Sequence, residues 1–179
     1  NYDAVLRSIR LLIHPLGIDL AQRRITLSTV GIVPGIERLA DEGLQVNLAI
    51  SLHAPTQAAR VRLVPIAKKY PLDALMAAAR RFVRRTGRKV TFEYTVAPGR
   101  NDSDADADAL AALVRGLRTL VNVIPLNPTP GFTTAPGADL RAAADRFVRA
   151  LRARGVEAAL RQSRGAEVGG ACGQLAGEA

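Results

Sequence analysis

A chain of 179 residues with 48% hydrophobic content is long enough to bury one sizeable core, and its apolar runs fall far short of the ~20 residues of a membrane span. Lys and Arg number 25 against 16 Asp and Glu, a net charge of +9. That balance suits a polyanionic partner, nucleic acid first, or else an arginine-rich solvated surface; with 4% aromatic residues and no Trp, base stacking is not the main device. A single cysteine excludes an internal disulfide and a cysteine-cluster metal site. It fits a reducing compartment such as the cytoplasm, and no secretory leader pattern is visible. The start Asn1-Tyr2-Asp3 lacks an initiator methionine, as expected of a piece of a longer protein.

Val5, Ile9 and Leu12 predict an opening helix. Strands are predicted over Ile25 to Val30 and Val46 to Ser51. Leu72, Leu75, Met76, Ala79, Phe82 and Val83 share one helical face. A third strand follows over Lys89 to Val96. Ser103-Asp104-Ala105-Asp106 is a capping-box pattern. It opens a helix with the stripe Leu110, Leu113, Val114 and Leu117, Asp104, Asp106 and Asp108 early, and Arg115 and Arg118 near its end. Leu120 to Leu126 reads as the fourth strand, and the Pro/Gly/Thr-rich stretch 125–136 as a loop. Phe147, Val148 and Leu151 mark a helix before a last strand over Val156 to Gln162.

Strands separated by helices, with no hairpin turn, imply right-handed crossovers and a parallel sheet. The expectation is an α/β fold, one domain over 1–179. Because the chain opens on a helix, a preceding strand should be missing and the first strand should carry an open edge. Four or five strands are too few for a closed eight-stranded barrel, so the sheet should be open and curved.

Ligands of parallel α/β folds bind at the carboxyl ends of strands. There the sequence places Ser28-Thr29, Ser51-Leu52-His53, the run Pro98-Gly99-Arg100-Asn101-Asp102, and Asn127-Pro128. These neutral hydrogen-bonding groups suit a ligand with amine, carboxylate and ribose functions. Taken singly, Ser28 and Ser51 also read as caps, His53 as a turn histidine and Asn127 as a turn initiator. Lys68-Lys69-Tyr70 and Arg161 to Arg164 read as solvated basic faces. No Walker loop, G-x-G-x-x-G or carboxylate pair is present. Cys172 sits in Gly170-Ala171-Cys172-Gly173-Gln174-Leu175-Ala176-Gly177. A lone thiol among small residues reads either as a buried small hydrophobe or as a nucleophile.

Several of these segments carry a family resemblance. They are Arg24-Ile25-Thr26-Leu27-Ser28-Thr29, Ser51-Leu52-His53-Ala54-Pro55, Val64-Pro65-Ile66, Lys68-Lys69-Tyr70-Pro71, Asn127-Pro128 and Ala171-Cys172-Gly173-Gln174-Leu175-Ala176-Gly177. In this order and spacing the chain resembles the radical SAM RNA methyltransferases of the RlmN/Cfr family, closest to the RlmN branch, over essentially its whole length. Small departures are Glu167-Val168 where the family has Asp-Ile, and Ala67 in place of Asn.

The resemblance implies the C-terminal portion of a radical SAM (β/α) barrel, lacking its N-terminal strands and cluster loop. It implies C2 methylation of adenine in 23S rRNA and tRNA. Ser28, Ser51, Leu52, His53 and Asn127 would contact S-adenosylmethionine, and Cys172 would be methylated and carry the one-carbon unit. A second S-adenosylmethionine would be cleaved at a [4Fe–4S] cluster fed by an electron donor. The C-x-x-x-C-x-x-C cluster motif and the Gly-Glu-Pro motif of the family are absent from this sequence, so the chain alone is expected to be inactive and to hold no metal. Rivals are a Cfr-type C8 methyltransferase, a non-catalytic RNA-binding module derived from the fold, and an unrelated α/β enzyme with a phosphate site.

Overall fold

The computed structural model describes residues 1–127 and 139–161. Helix α1 (Tyr2–Leu12) precedes β1 (Thr26–Thr29), α2 (Val33–Asp41) and β2 (Asn47–Ser51). Then come α3 (Gln57–Leu63), α4 (Leu72–Thr86), β3 (Val90–Val96) and α5 (Asp104–Val114). Strand β4 (Thr119–Pro125), α6 (Leu140–Ala153) and β5 (Ala158–Leu160) complete the order. The strands form one sheet in the order β1-β2-β3-β4-β5, every pair parallel. This is the α/β fold with parallel crossovers that the alternating periods imply. Strand β1 lies at one edge, with Thr26 and Ser28 exposed.

Alternation along the strands sorts the two faces of the sheet. In β3, Val90, Phe92, Tyr94 and Val96 are buried, while Thr91, Glu93 and Thr95 are half-buried. The buried set packs with Leu75, Phe82, Leu110, Phe147 and Leu151 of the helices into one core. Tyr94 and Phe147 stack with ring centroids 5.0 Å apart. Helices therefore cover one face. The other carries Ser51, Glu93, Thr95 and Asn122, only half-buried, and there the site lies.

Two helices escaped the periodicity reading. Helix α2 is short and starts on Val33-Pro34-Gly35, which reads as loop chemistry, yet Pro is at home in a first helical turn. Helix α3 has only seven residues and is started by the Thr56 side chain, which accepts from the Ala59 N–H at 3.3 Å. The capping box at Ser103 forms as expected: Ser103 Oγ accepts from the Asp106 N–H at 3.1 Å, and the Asp106 carboxylate accepts from the Ser103 N–H at 3.1 Å. The far end of that helix differs from expectation. It stops at Val114, before Arg115 and Arg118, with no basic residue in its last turn. Its last carbonyls are met instead from α4, where Arg80 donates to the carbonyls of Leu113 and Arg115, both at 3.1 Å. Strand β5 is shorter than its apolar run because Val156 turns into the core ahead of it.

Candidate active site

A cavity of about 420 Å³ opens at the carboxyl ends of β1 to β4. Ser28 of β1, Ser51 and His53 at the end of β2, and Asn127 after β4 all line it, together with Glu93 and Thr95 of β3 and Arg161. Strand register explains the gathering. Ser51 pairs with Glu93 and Glu93 with Asn122, so these three polar residues form one rung across β2, β3 and β4. Ser28 pairs with Ala49, two residues before Ser51 on the same face.

His53 follows β2 in a left-handed conformation, φ 58°, unusual for a residue with a side chain. The strain is held by its contacts. Its Nδ1 accepts from the Thr95 N–H at 3.1 Å, and its carbonyl accepts from Asn101 Nδ2 at 3.0 Å. Burial, helped by the nearby Arg60 charge, pushes the imidazole pKa down to about 4. His53 is thus neutral at neutral pH. With Nδ1 accepting, the hydrogen sits on Nε2, which becomes a donor for a ligand acceptor.

Asn101 ties this corner together. It is buried; its Oδ1 accepts from the Ala97 N–H at 2.8 Å, and its Nδ2 also donates to the Thr95 carbonyl at 2.8 Å. Its own carbonyl accepts from the Tyr94 hydroxyl at 2.8 Å. The loops after β2 and β3 are thereby pinned to each other.

Arg60 pins β1 to β2. Its side chain is fully buried, and Nη2 donates to the carbonyls of Val30 at 2.8 Å and Ser51 at 3.2 Å. Among the described residues, Nε and Nη1 have no hydrogen-bond partner. Gly31 makes the room: at φ 103°, a Cβ there would lie 3.0 Å from Arg60 Nη2.

The remaining expected residues fall differently. Leu52 is fully buried in the hydrophobic core, and its side chain is not part of the cavity lining. Its N–H and that of His53 both donate to the Glu93 carbonyl, at 3.0 and 3.3 Å. Asn127 is buried at the cavity wall. Cys172 lies outside the described residues. Arg161, read from sequence as part of a solvated face, is exposed and also lines the cavity rim, with Nη1 3.5 Å from Glu93 Oε2. Sequence reasoning did not single out Arg60, Glu93, Thr95 or the Asn101 side chain. The alternation Thr91, Glu93, Thr95 within an otherwise apolar strand is the signal that marks Glu93. An arginine in a basic helix gave no sign that Arg60 would be buried.

No family model matches the chain. The chain is 50% identical over 177 residues, 98% of its length, to the probable dual-specificity RNA methyltransferase RlmN of Moorella thermoacetica. It is 48% identical over 98% of its length to the dual-specificity RNA methyltransferase RlmN of Sorangium cellulosum. The crystal structure of a radical SAM methyltransferase from Sphaerobacter thermophilus superposes with a TM-score of 0.90 at 52% identity, over 97% of this chain and 50% of that one. The chain spans about half the length of the curated relatives it matches: 49% of the Moorella and 45% of the Sorangium protein. With near-complete coverage of this chain at such identities, and the same fold in the solved structure, the chain belongs to the RlmN family of radical SAM RNA methyltransferases.

Proposed function

We propose that the chain is a single domain forming the C-terminal part of an RlmN-type enzyme that methylates C2 of adenine in 23S rRNA and tRNA, and that the cavity binds S-adenosylmethionine. One observation carries this reading: Ser28, Ser51, His53 and Asn127 come from the ends of three strands, β1, β2 and β4, and line the same cavity. The groups suit the ligand. Serine hydroxyls and the Asn127 amide both donate and accept, as ribose hydroxyls and an adenine edge require. His53 Nε2 donates to an acceptor, and its low pKa keeps it from adding charge beside a cationic ligand.

When bound, S-adenosylmethionine supplies the methyl group and, with an iron–sulfur cluster, the radical chemistry of the family. A [4Fe–4S] cluster does not fit on these residues. The sequence has one cysteine, and among the described residues no group of three or more His, Cys, Asp or Glu could hold a metal. The cluster and its electron donor therefore belong with residues outside this chain. Cys172 is assigned the one-carbon carrier. Its thiolate would accept the methyl group by nucleophilic attack, forming the Sγ–CH3 bond as the sulfonium–CH3 bond broke, with S-adenosylhomocysteine as the leaving group. The net charge of +9 supports an RNA substrate. The cytoplasm is the proposed place of work on RNA; among the described residues no helix is long and apolar enough to cross a membrane.

The test is Cys172→Ala in the full-length polypeptide that carries this chain, with mass spectrometry of digested 23S rRNA and tRNA. Loss of 2-methyladenosine with the fold retained is the expected result. Undiminished 2-methyladenosine would overturn the role of Cys172, and 8-methyladenosine from the unsubstituted enzyme would move it to the Cfr branch.

A further inference from the structure

We propose that Glu93 is a specificity-determining residue of this cavity: its carboxylate recognises the positive charge that distinguishes S-adenosylmethionine from its demethylated product. The inference rests on the reading of the cavity as an S-adenosylmethionine site. Among the described residues lining the cavity, Glu93 is the sole acidic one. Its side chain is only 18% exposed and occupies the middle of the rung Ser51–Glu93–Asn122. Among the described residues, its two side-chain contacts fall on the same oxygen. Oε2 accepts from Asn122 Nδ2 at 2.9 Å and lies 3.5 Å from Arg161 Nη1. Oε1 takes no part in either contact.

The countercharge is loosely held. A separation of 3.5 Å is longer than a good charge-assisted hydrogen bond, and the Arg161 side chain is 49% exposed. A ligand filling the cavity displaces water from Glu93, and a desolvated carboxylate needs a cation. S-adenosylmethionine brings a sulfonium that S-adenosylhomocysteine lacks; both bring the same ammonium, carboxylate, ribose and adenine. The difference in their binding therefore reports on the S-methyl sulfonium, its charge and its methyl group, and Glu93→Gln isolates the charge. Transfer of the methyl group to Cys172 turns the sulfonium into a neutral thioether. The same step that loads the cysteine thus weakens the hold of Glu93 on the leaving product and opens the cavity to a second molecule.

The measurement is equilibrium binding of both ligands to the full-length polypeptide by calorimetry, read as the ratio of the two dissociation constants. The unsubstituted protein should prefer S-adenosylmethionine. Glu93→Gln, nearly isosteric, should cut that preference about tenfold, a unit charge a few ångströms away in a partly screened site. Glu93→Asp should retain most of it. Arg161→Ala, which removes the opposing charge from a half-exposed position, should raise it. The ratio is insensitive to damage to the cavity away from the sulfur, because both ligands share every contact outside the S-methyl sulfonium. An unchanged ratio in Glu93→Gln, or no rise in Arg161→Ala, overturns the role of Glu93 and leaves the cavity assignment standing. Binding of neither ligand by the unsubstituted protein overturns both.

Discussion

Replacing Asn101 by Ala should destabilise the protein and release His53 together. The side chain is buried, with three short hydrogen bonds: Ala97 N–H to Oδ1 at 2.8 Å, and Nδ2 to the carbonyls of His53 and Thr95 at 3.0 and 2.8 Å. Alanine leaves the three backbone groups without these partners, at a cost of about 1 kcal/mol each and about 3 kcal/mol in all. For a chain of this length that is a fall in Tm of about 9 °C. His53, at φ 58°, loses the bond that holds its carbonyl, so its left-handed conformation should relax. Calorimetry gives the first quantity, and the ¹⁵N shifts of the His53 imidazole give the second. Asn101→Asp should be no milder, since it swaps both donations for a buried charge. A Tm within 2 °C of the unsubstituted protein, with His53 unmoved, would refute the assignment of Asn101 as the clamp.

Stability should fall as pH drops from 6.5 toward 4. His53 titrates near 4 in the fold against an ordinary 6.5, so in that window the unfolded chain takes a proton that the folded one refuses. The contribution is complete above pH 6.5 and shrinks by up to about 3 kcal/mol at pH 4; urea denaturation of His53→Gln should show a flatter dependence, and equal slopes would contradict the cause. Gly31→Ala should cost about 2 kcal/mol from its positive φ alone. It should also displace Arg60, because the new Cβ meets Nη2 at 3.0 Å and Leu75 Cδ1 at 3.2 Å; a fully retained Tm would contradict that packing.

What the sequence revealed follows from periodicity. The strands were legible because their apolar residues alternate or run continuously, and the long helices because Leu72 to Val83 and Phe147 to Leu151 repeat at helical spacing. Helices α2 and α3 were not, being too short for the period to outweigh Pro34, Gly35 and Pro55. The polar rim was legible because residues at the carboxyl ends of parallel strands share one rim. The residues that build the rim were not. Arg60 sits on a basic seven-residue helix, and only the fold shows that it reaches the carbonyls of Val30 and Ser51. Asn101 reads as turn chemistry, and its bond to His53 joins residues 48 apart. Leu52 stood within a ligand motif, yet strand alternation sends its side chain to the core.

The central claim is that S-adenosylmethionine occupies the cavity at the strand ends. Amide-resolved NMR titration of the full-length polypeptide, with this chain isotopically labelled, tests it directly. Saturable shifts are expected at Ser28, Ser51, His53 and Asn127, which line that cavity. None is expected at Gly116 and Gly155, which line a second cavity beside the starts of β4 and β5. Shifts centred on Gly116 and Gly155, or no saturable shift at the four strand-end residues, would contradict the account.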